Sequence, residues 1–168
     1  MKSKLSMFAL LVIVGCSGHE MIQSGAAKPP EAMALGWVDR TVLEQPQFSQ
    51  FKTVYDTVQV NRTMVAFIRQ ASDSVQWIVF FGTWCGDSKR QVPMFLKVAD
   101  SAGIPRERIK LYGLDRSLKD DKGLAEKYRV RSVPTFIFLK DGKEIGRITE
   151  TPTIGMEADM LTIMAAAQ

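Results

Sequence analysis

Phe80-Phe81-Gly82-Thr83-Trp84-Cys85-Gly86-Asp87-Ser88-Lys89-Arg90 decides how the rest of the chain is read. Residues 77–81 are an unbroken apolar run, the pattern of a strand buried on both faces. The run breaks at Gly82, and a helical pattern begins after Cys85. A cysteine at a helix N-terminus faces unpaired backbone N–H groups and the positive end of the helix dipole. Both favour the thiolate, the nucleophilic form of the residue.

Working outward, 75–81 reads as a central strand. The helix that follows carries Val92, Phe95, Leu96 and Ala99 towards a core, contains Pro93, and stops at Gly103. Residues 109–114 form a second strand, and Ser117-Leu118-Lys119-Asp120 has the form of a helix-starting box, so a helix is expected to about Tyr128. Val133-Pro134-Thr135 opens a strand over 135–139. Asp141-Gly142 turns it back, and 144–149 returns antiparallel. After Pro152, Met156, Met160, Ile163, Met164 and Ala167 recur at helical spacing, which is core packing of a last helix. Upstream, Asn61 caps a helix to about Gln70 with Met64, Val65 and Ile68 inward, and 37–60 reads as a helix followed by an extended segment.

The order strand, helix, strand, helix, hairpin, helix gives an α/β fold: a mixed central sheet with helices on both faces. Trp84-Cys85-Gly86, Pro93 and Val133-Pro134-Thr135, at these separations, resemble the thioredoxin superfamily. The resemblance covers the chain from about Gln59 onward. It implies a thioredoxin-like fold in which Pro134 is cis and lies against Cys85, with Trp84, Gly86, Asp87, Val133 and Pro134 bordering a groove for an extended substrate. Three positions depart from the family pattern. Ser88 stands where a dithiol member has its second cysteine. Val79 stands where many members keep a buried acid. Glu150 occupies a place where a glycine commonly lines the groove, and Arg116, just past a strand end, is expected near the site.

Ser88 governs the chemistry. A hydroxyl cannot resolve a mixed disulfide, so Cys85 is expected to act as a monothiol with Ser88 as a hydrogen-bonding helper. The functions implied are isomerisation or mixed-disulfide exchange on protein thiols or disulfides, with an external thiol as reductant. A redox-silent module that binds client polypeptides is one alternative. A monothiol glutaredoxin-like role is the other, since Cys85-Gly86-Asp87-Ser88 has the Cys-Gly-x-Ser form.

The second cysteine belongs to a different feature. Lys2 and Lys4 precede an apolar stretch over 5–14, which is too short to span a bilayer. Ile13-Val14-Gly15-Cys16 then resembles the bacterial lipoprotein box. The resemblance implies cleavage before Cys16, a lipid on that residue, and a periplasm-facing address in the bacterial cell envelope, with the outer membrane a natural destination. The chain thus divides into a signal peptide (1–15), a lipidated tether (16–36) and a thioredoxin-like domain with an N-terminal extension (37–168). His19, the sole histidine, falls in the tether without partners, and no metal or cofactor is expected. A formal charge of +4, which falls to +2 without Lys2 and Lys4, and the lack of a basic stripe with interleaved aromatics argue against a nucleic-acid partner.

Overall fold

The computed structural model describes residues 31–167. The expected signal peptide, Cys16 and His19 lie outside the described residues.

The apolar run becomes β2 (Val75–Phe81), in which every residue but Gln76 is buried. Strands β1 (Gly36–Val38), β3 (Ile109–Gly113), β4 (Thr135–Lys140) and β5 (Lys143–Thr149) complete a five-stranded sheet in the order β1-β3-β2-β4-β5. β2 runs parallel to β3 and antiparallel to β4, and β4 pairs antiparallel with β5. Asp141 and Gly142 both take positive φ, as the tight hairpin between β4 and β5 requires. The mixed sheet expected from the sequence is the one observed.

Among the described residues five α-helices flank it: α1 (Ser49–Thr57), α2 (Arg62–Ala71), α3 (Gly86–Ser101), α4 (Leu124–Lys127) and α5 (Met156–Ala165). Alternation along β2 divides the core in two. Trp77, Val79 and Phe81 face one cluster with Phe51 of α1, Ile68 of α2, Phe95 of α3 and Met156, Met160 and Met164 of α5. Ile78 and Phe80 face the other, with Tyr112, Ile137, Ala125 and Val130. Helices therefore lie on both faces, but unequally. Four cover one face, and α4 with its loops covers the other.

α2 begins where its cap predicts, with the Asn61 side chain accepting from the Met64 N–H at 3.1 Å. α3 runs through Pro93, which is buried. α1 followed by an extended stretch matches the reading of 37–60, except that Gly36–Val38 adds an edge strand, paired Trp37 to Tyr112 and Val38 to Leu111.

The segment 117–128 is a correction. Helix α4 spans only four residues. The Asp115 carboxylate accepts from the Ser117 N–H and hydroxyl, which turns the chain instead of starting a helix. Leu118 and Gly123 take left-handed φ values of 57° and 62°. The Asp120 carboxylate gathers the N–H groups of Lys122, Leu124 and Ala125 and the Tyr112 hydroxyl. Asp120 is a cap, then, but for a helix that starts later.

Candidate active site around Cys85

Cys85 is the N-cap of α3, with an extended backbone (φ −85°, ψ 127°). It is half-buried, and its Sγ lies 3.2 Å from the Val133 carbonyl oxygen, to which the thiol donates. The Val133–Pro134 peptide is cis. The structure thus joins, across 48 positions of sequence, two of the three motifs that carry the family resemblance. Thr135, buried at the start of β4, ties the loop by donating its hydroxyl to the Ser132 carbonyl at 2.8 Å.

Ser88 lies one turn into α3 and is wholly buried. Its hydroxyl oxygen accepts from the Gly82 N–H at 3.1 Å. No hydrogen bond joins Ser88 to the Cys85 sulfur among the described residues, so the expected helper contact is absent. Ser88 instead braces the turn that delivers Cys85. Gly86 is exposed with open space over it, and Asp87 pairs with Arg90 on the surface of α3. Val79 is fully buried in the apolar cluster and brings no proton acceptor beneath the thiol.

Trp84 is held on three sides. Its Nε1–H donates to the Leu114 carbonyl at 2.9 Å, and the Arg116 guanidinium stacks 4.8 Å from its ring centre. On the third side is Gly82, where an added Cβ would stand 2.6 Å from the indole. Glycine is required there because the ring folds back over the turn. Arg116, expected near the site from its place beyond β3, is there through Trp84.

Glu150 is exposed and left-handed (φ 58°), and its N–H donates to the Pro134 carbonyl at 2.7 Å. Its backbone therefore borders the cis proline, and its conformation is one that glycine adopts without strain. The Asp115 carboxyl, beside Arg116, is held below the usual carboxylate range by the Ser117 hydroxyl and then by the Ser117 N–H.

Glu31 was missed in the sequence. Its carboxylate meets Arg116 Nη2 at 2.7 Å and Lys89 Nζ at 3.7 Å. It lies 85 positions from Arg116, in a stretch whose composition reads as tether, and no local pattern signals the contact. Residues 32 and 34 are seated on the domain. The Ala34 N–H donates to Thr83 Oγ1 at 3.3 Å, and that hydroxyl donates to the Ala32 carbonyl at 3.4 Å. Among the described residues no cluster of His, Cys, Asp or Glu is placed to hold a metal, and no helix is long and apolar enough to cross a membrane.

A thioredoxin family model matches residues 42–164. The chain belongs to the thioredoxin family. It is 30% identical over 84 residues to a thioredoxin-like protein of Acanthamoeba polyphaga mimivirus, a match that takes in 50% of this chain and 58% of that relative. It is 37% identical to thioredoxin-2 of Saccharomyces cerevisiae over 46% of this chain and 69% of the yeast protein. The crystal structure of Malassezia sympodialis thioredoxin is similar over 57% of this chain and 82% of that chain, at 27% identity and a TM-score of 0.40.

Proposed function

We propose that the chain is a thiol–disulfide exchange protein that works through one thiol, Cys85, on the cysteines of client polypeptides. The observation that carries this reading is the position of the sulfur. It sits half-exposed at the start of α3 and against the Val133 carbonyl beside the cis proline, where an extended chain can lie along the groove. Ser88, buried and engaged with Gly82, supplies no second sulfur.

The chemistry follows from that count. The Cys85 thiolate attacks one sulfur of a client disulfide. The bond from Cys85 to the client forms, the client S–S bond breaks, and the second client sulfur leaves as a thiolate that takes up a proton. If that thiolate displaces Cys85, the original disulfide is restored; if a third cysteine of the same client displaces it, the disulfide has moved and no electrons have been lost or gained overall. If an external thiol attacks the bound client sulfur, Cys85 is regenerated and a disulfide between client and external thiol is left. Isomerisation therefore needs a third client cysteine and no outside reductant, whereas net reduction needs two equivalents of external thiol, which end as a disulfide of their own.

The site is read together with an address. The lysines, apolar stretch and Ile13-Val14-Gly15-Cys16 support a lipid anchor on Cys16 that holds the domain in a bacterial envelope, facing the periplasm. Acyl labelling of the expressed chain checks this. Incorporation that disappears with Cys16→Ala supports the anchor, and equal labelling of both chains rejects it.

Expression of the full chain in a bacterium, acid quenching, and non-reducing electrophoresis test the exchange reading. Adducts that vanish on reduction and with Cys85→Ser are expected. Client capture that survives Cys85→Ser unchanged would instead indicate a holding module.

A further inference from the structure

Two cations come from residues that flank Cys85 and Trp84, and a carboxylate of the chain's own N-terminal segment meets both. Lys89 lies in the first turn of α3, its N–H bonded to the Cys85 carbonyl. Arg116 is stacked on Trp84, the residue before the thiol. Both reach Glu31. The stacking keeps the planar guanidinium aimed, and a guanidinium held in this way suits a carboxylate.

The Glu31 carboxylate is presented by a well-defined seat. Thr83 is buried, and its hydroxyl holds Ala32 and Ala34. A Cβ on Gly113 would come within 2.0 Å of the Ala34 carbonyl oxygen, so the segment rests directly on β3. The ion pairs themselves are exposed, with 63% of the Arg116 side chain and 39% of the Glu31 side chain open to solvent. Exposed pairs of this kind are weak and screened by salt. The seat at Ala32 and Ala34 brings Glu31 to the cations, and its ion pairs with them are open to a competing carboxylate.

We propose that Lys89 and Arg116 form a carboxylate-binding subsite next to Cys85, that Glu31 fills it in the resting chain, and that an acidic side chain of a client polypeptide takes it on binding. This rests on the exchange reading only in that the client brings its cysteine to Cys85. The kind of occupant follows from the structure: the carboxylate in the subsite belongs to a polypeptide segment that is hydrogen-bonded to Thr83. The subsite then favours clients with Asp or Glu near the reacting cysteine, and Glu31 sets how strongly.

The test uses the full chain carrying Cys85→Ala, so that only reversible binding is read. Fluorescently labelled disulfide peptides differ at one residue beside the cystine, Glu, Gln or Lys, and binding is followed by anisotropy at low ionic strength. Glu31→Gln should tighten the Glu peptide by about three- to fivefold, the upper range for an exposed ion pair, with the Gln peptide little changed. Thr83→Val, which loosens the seat and leaves both cations, should act in the same direction. Arg116→Gln and Lys89→Gln should erase the preference for Glu over Lys, as should salt at about 0.5 M. Equal effects of Glu31→Gln on Glu and Gln peptides would mean that the residue only pins the segment, and would overturn the proposal. A preference that survives Arg116→Gln and Lys89→Gln together would also overturn it.

A parallel assay with Cys85 intact separates this inference from the exchange reading. Adducts formed without regard to peptide charge sink the subsite alone. Absence of any adduct, with the charge preference in binding intact, sinks the exchange reading and leaves the subsite standing.

Discussion

Ser88 and Gly82 show how much of the site is bracing. The buried Ser88 hydroxyl accepts the Gly82 N–H, and Gly82 leaves room for Trp84. Gly82→Ala puts a methyl carbon 2.6 Å from the indole, so Trp84 must leave its place over the turn and lose Leu114 and Arg116. A loss of about 1–3 kcal/mol is expected, read from urea unfolding, with a red-shifted indole emission. Ser88→Cys exchanges a good acceptor for a poor one, at a cost of about 1 kcal/mol. It also puts a thiol one helical turn from Cys85. That variant should gain dithiothreitol-coupled reduction of insulin that the parent lacks, and no gain would show that the turn cannot close an 85–88 disulfide. The role of Ser88 was half legible. Its residue type announces a lone thiol, but its partner is Gly82, because the hydroxyl is buried behind the turn and not aimed at the sulfur. Glu150 was legible as a neighbour of Pro134 from hairpin counting, and its left-handed backbone explains why glycine suits that place.

Among the elements, the segment between β3 and β4 is the one that local pattern misjudged. Ser117-Leu118-Lys119-Asp120 looks like a helix start, yet Asp115 and Asp120 bond their own backbone neighbours and divert the chain into turns. The outcome depends on Tyr112, whose hydroxyl reaches Asp120 from β3 at 2.9 Å, a contact that neither hydrophobic period nor the capping pattern encodes. β1 was missed for a similar reason: three residues, one of them Gly, carry little signal, and their pairing is decided by the exposed edge of β3. β2, α2, the hairpin and the methionine stripe of α5 were read correctly because period, cap and turn residues all point the same way in each.

The Tyr112–Asp120 contact also sets a pH signature. Burial, aided by the Asp120 hydrogen bond and charge, pushes the Tyr112 hydroxyl up to about 12. Its contribution is present below the unfolded value near 10 and is lost as pH rises from there towards 12. In Tyr112→Phe the urea midpoint should lose that alkaline fall, and a fall of the same size in the variant would exclude Tyr112 as its source. Burial alone would raise the Asp120 carboxyl, but the N–H groups of Ala125 and Leu124 and the Tyr112 hydroxyl overcome it and hold the value down.

Over the whole molecule, one polar network ties the N-terminal part to the central helix. Arg40 reaches both oxygens of Asp100 in α3, at 2.8 and 2.6 Å, and the Tyr55 hydroxyl of α1 donates to the same carboxylate at 2.6 Å. Burial works against the ionised Asp100, yet the Arg40 and Tyr55 hydrogen bonds and the Arg40 charge hold its carboxyl below the usual range. The stabilisation is therefore present above the unfolded value near 3.9 and is lost as pH falls through the lower folded one. Arg40→Met leaves a partly buried carboxylate short of its main partner and should cost about 1–3 kcal/mol at neutral pH, with the difference from the parent narrowing below about pH 4. A constant difference across that range would show that packing, not charge, is what Arg40 supplies.

The family and the α/β layout were legible from three short motifs, because a strand–cysteine–helix turn and a Val-Pro-Thr strand start constrain the topology between them. The seat of residues 31–35 was not, since it depends on contacts between Thr83, Gly113 and a stretch of unremarkable composition.

The claim at the centre is that Cys85 exchanges disulfides as a lone nucleophile. The most direct measurement follows the full chain mixed with a cystine-bearing peptide at neutral pH, by rapid acid quench and mass spectrometry of the digested protein. The account predicts a peptide adduct mapped to Cys85, formed faster than on an unstructured cysteine peptide, reversed by added thiol and absent in Cys85→Ser. An adduct rate no faster than that of the unstructured cysteine, or no adduct at Cys85, would contradict it.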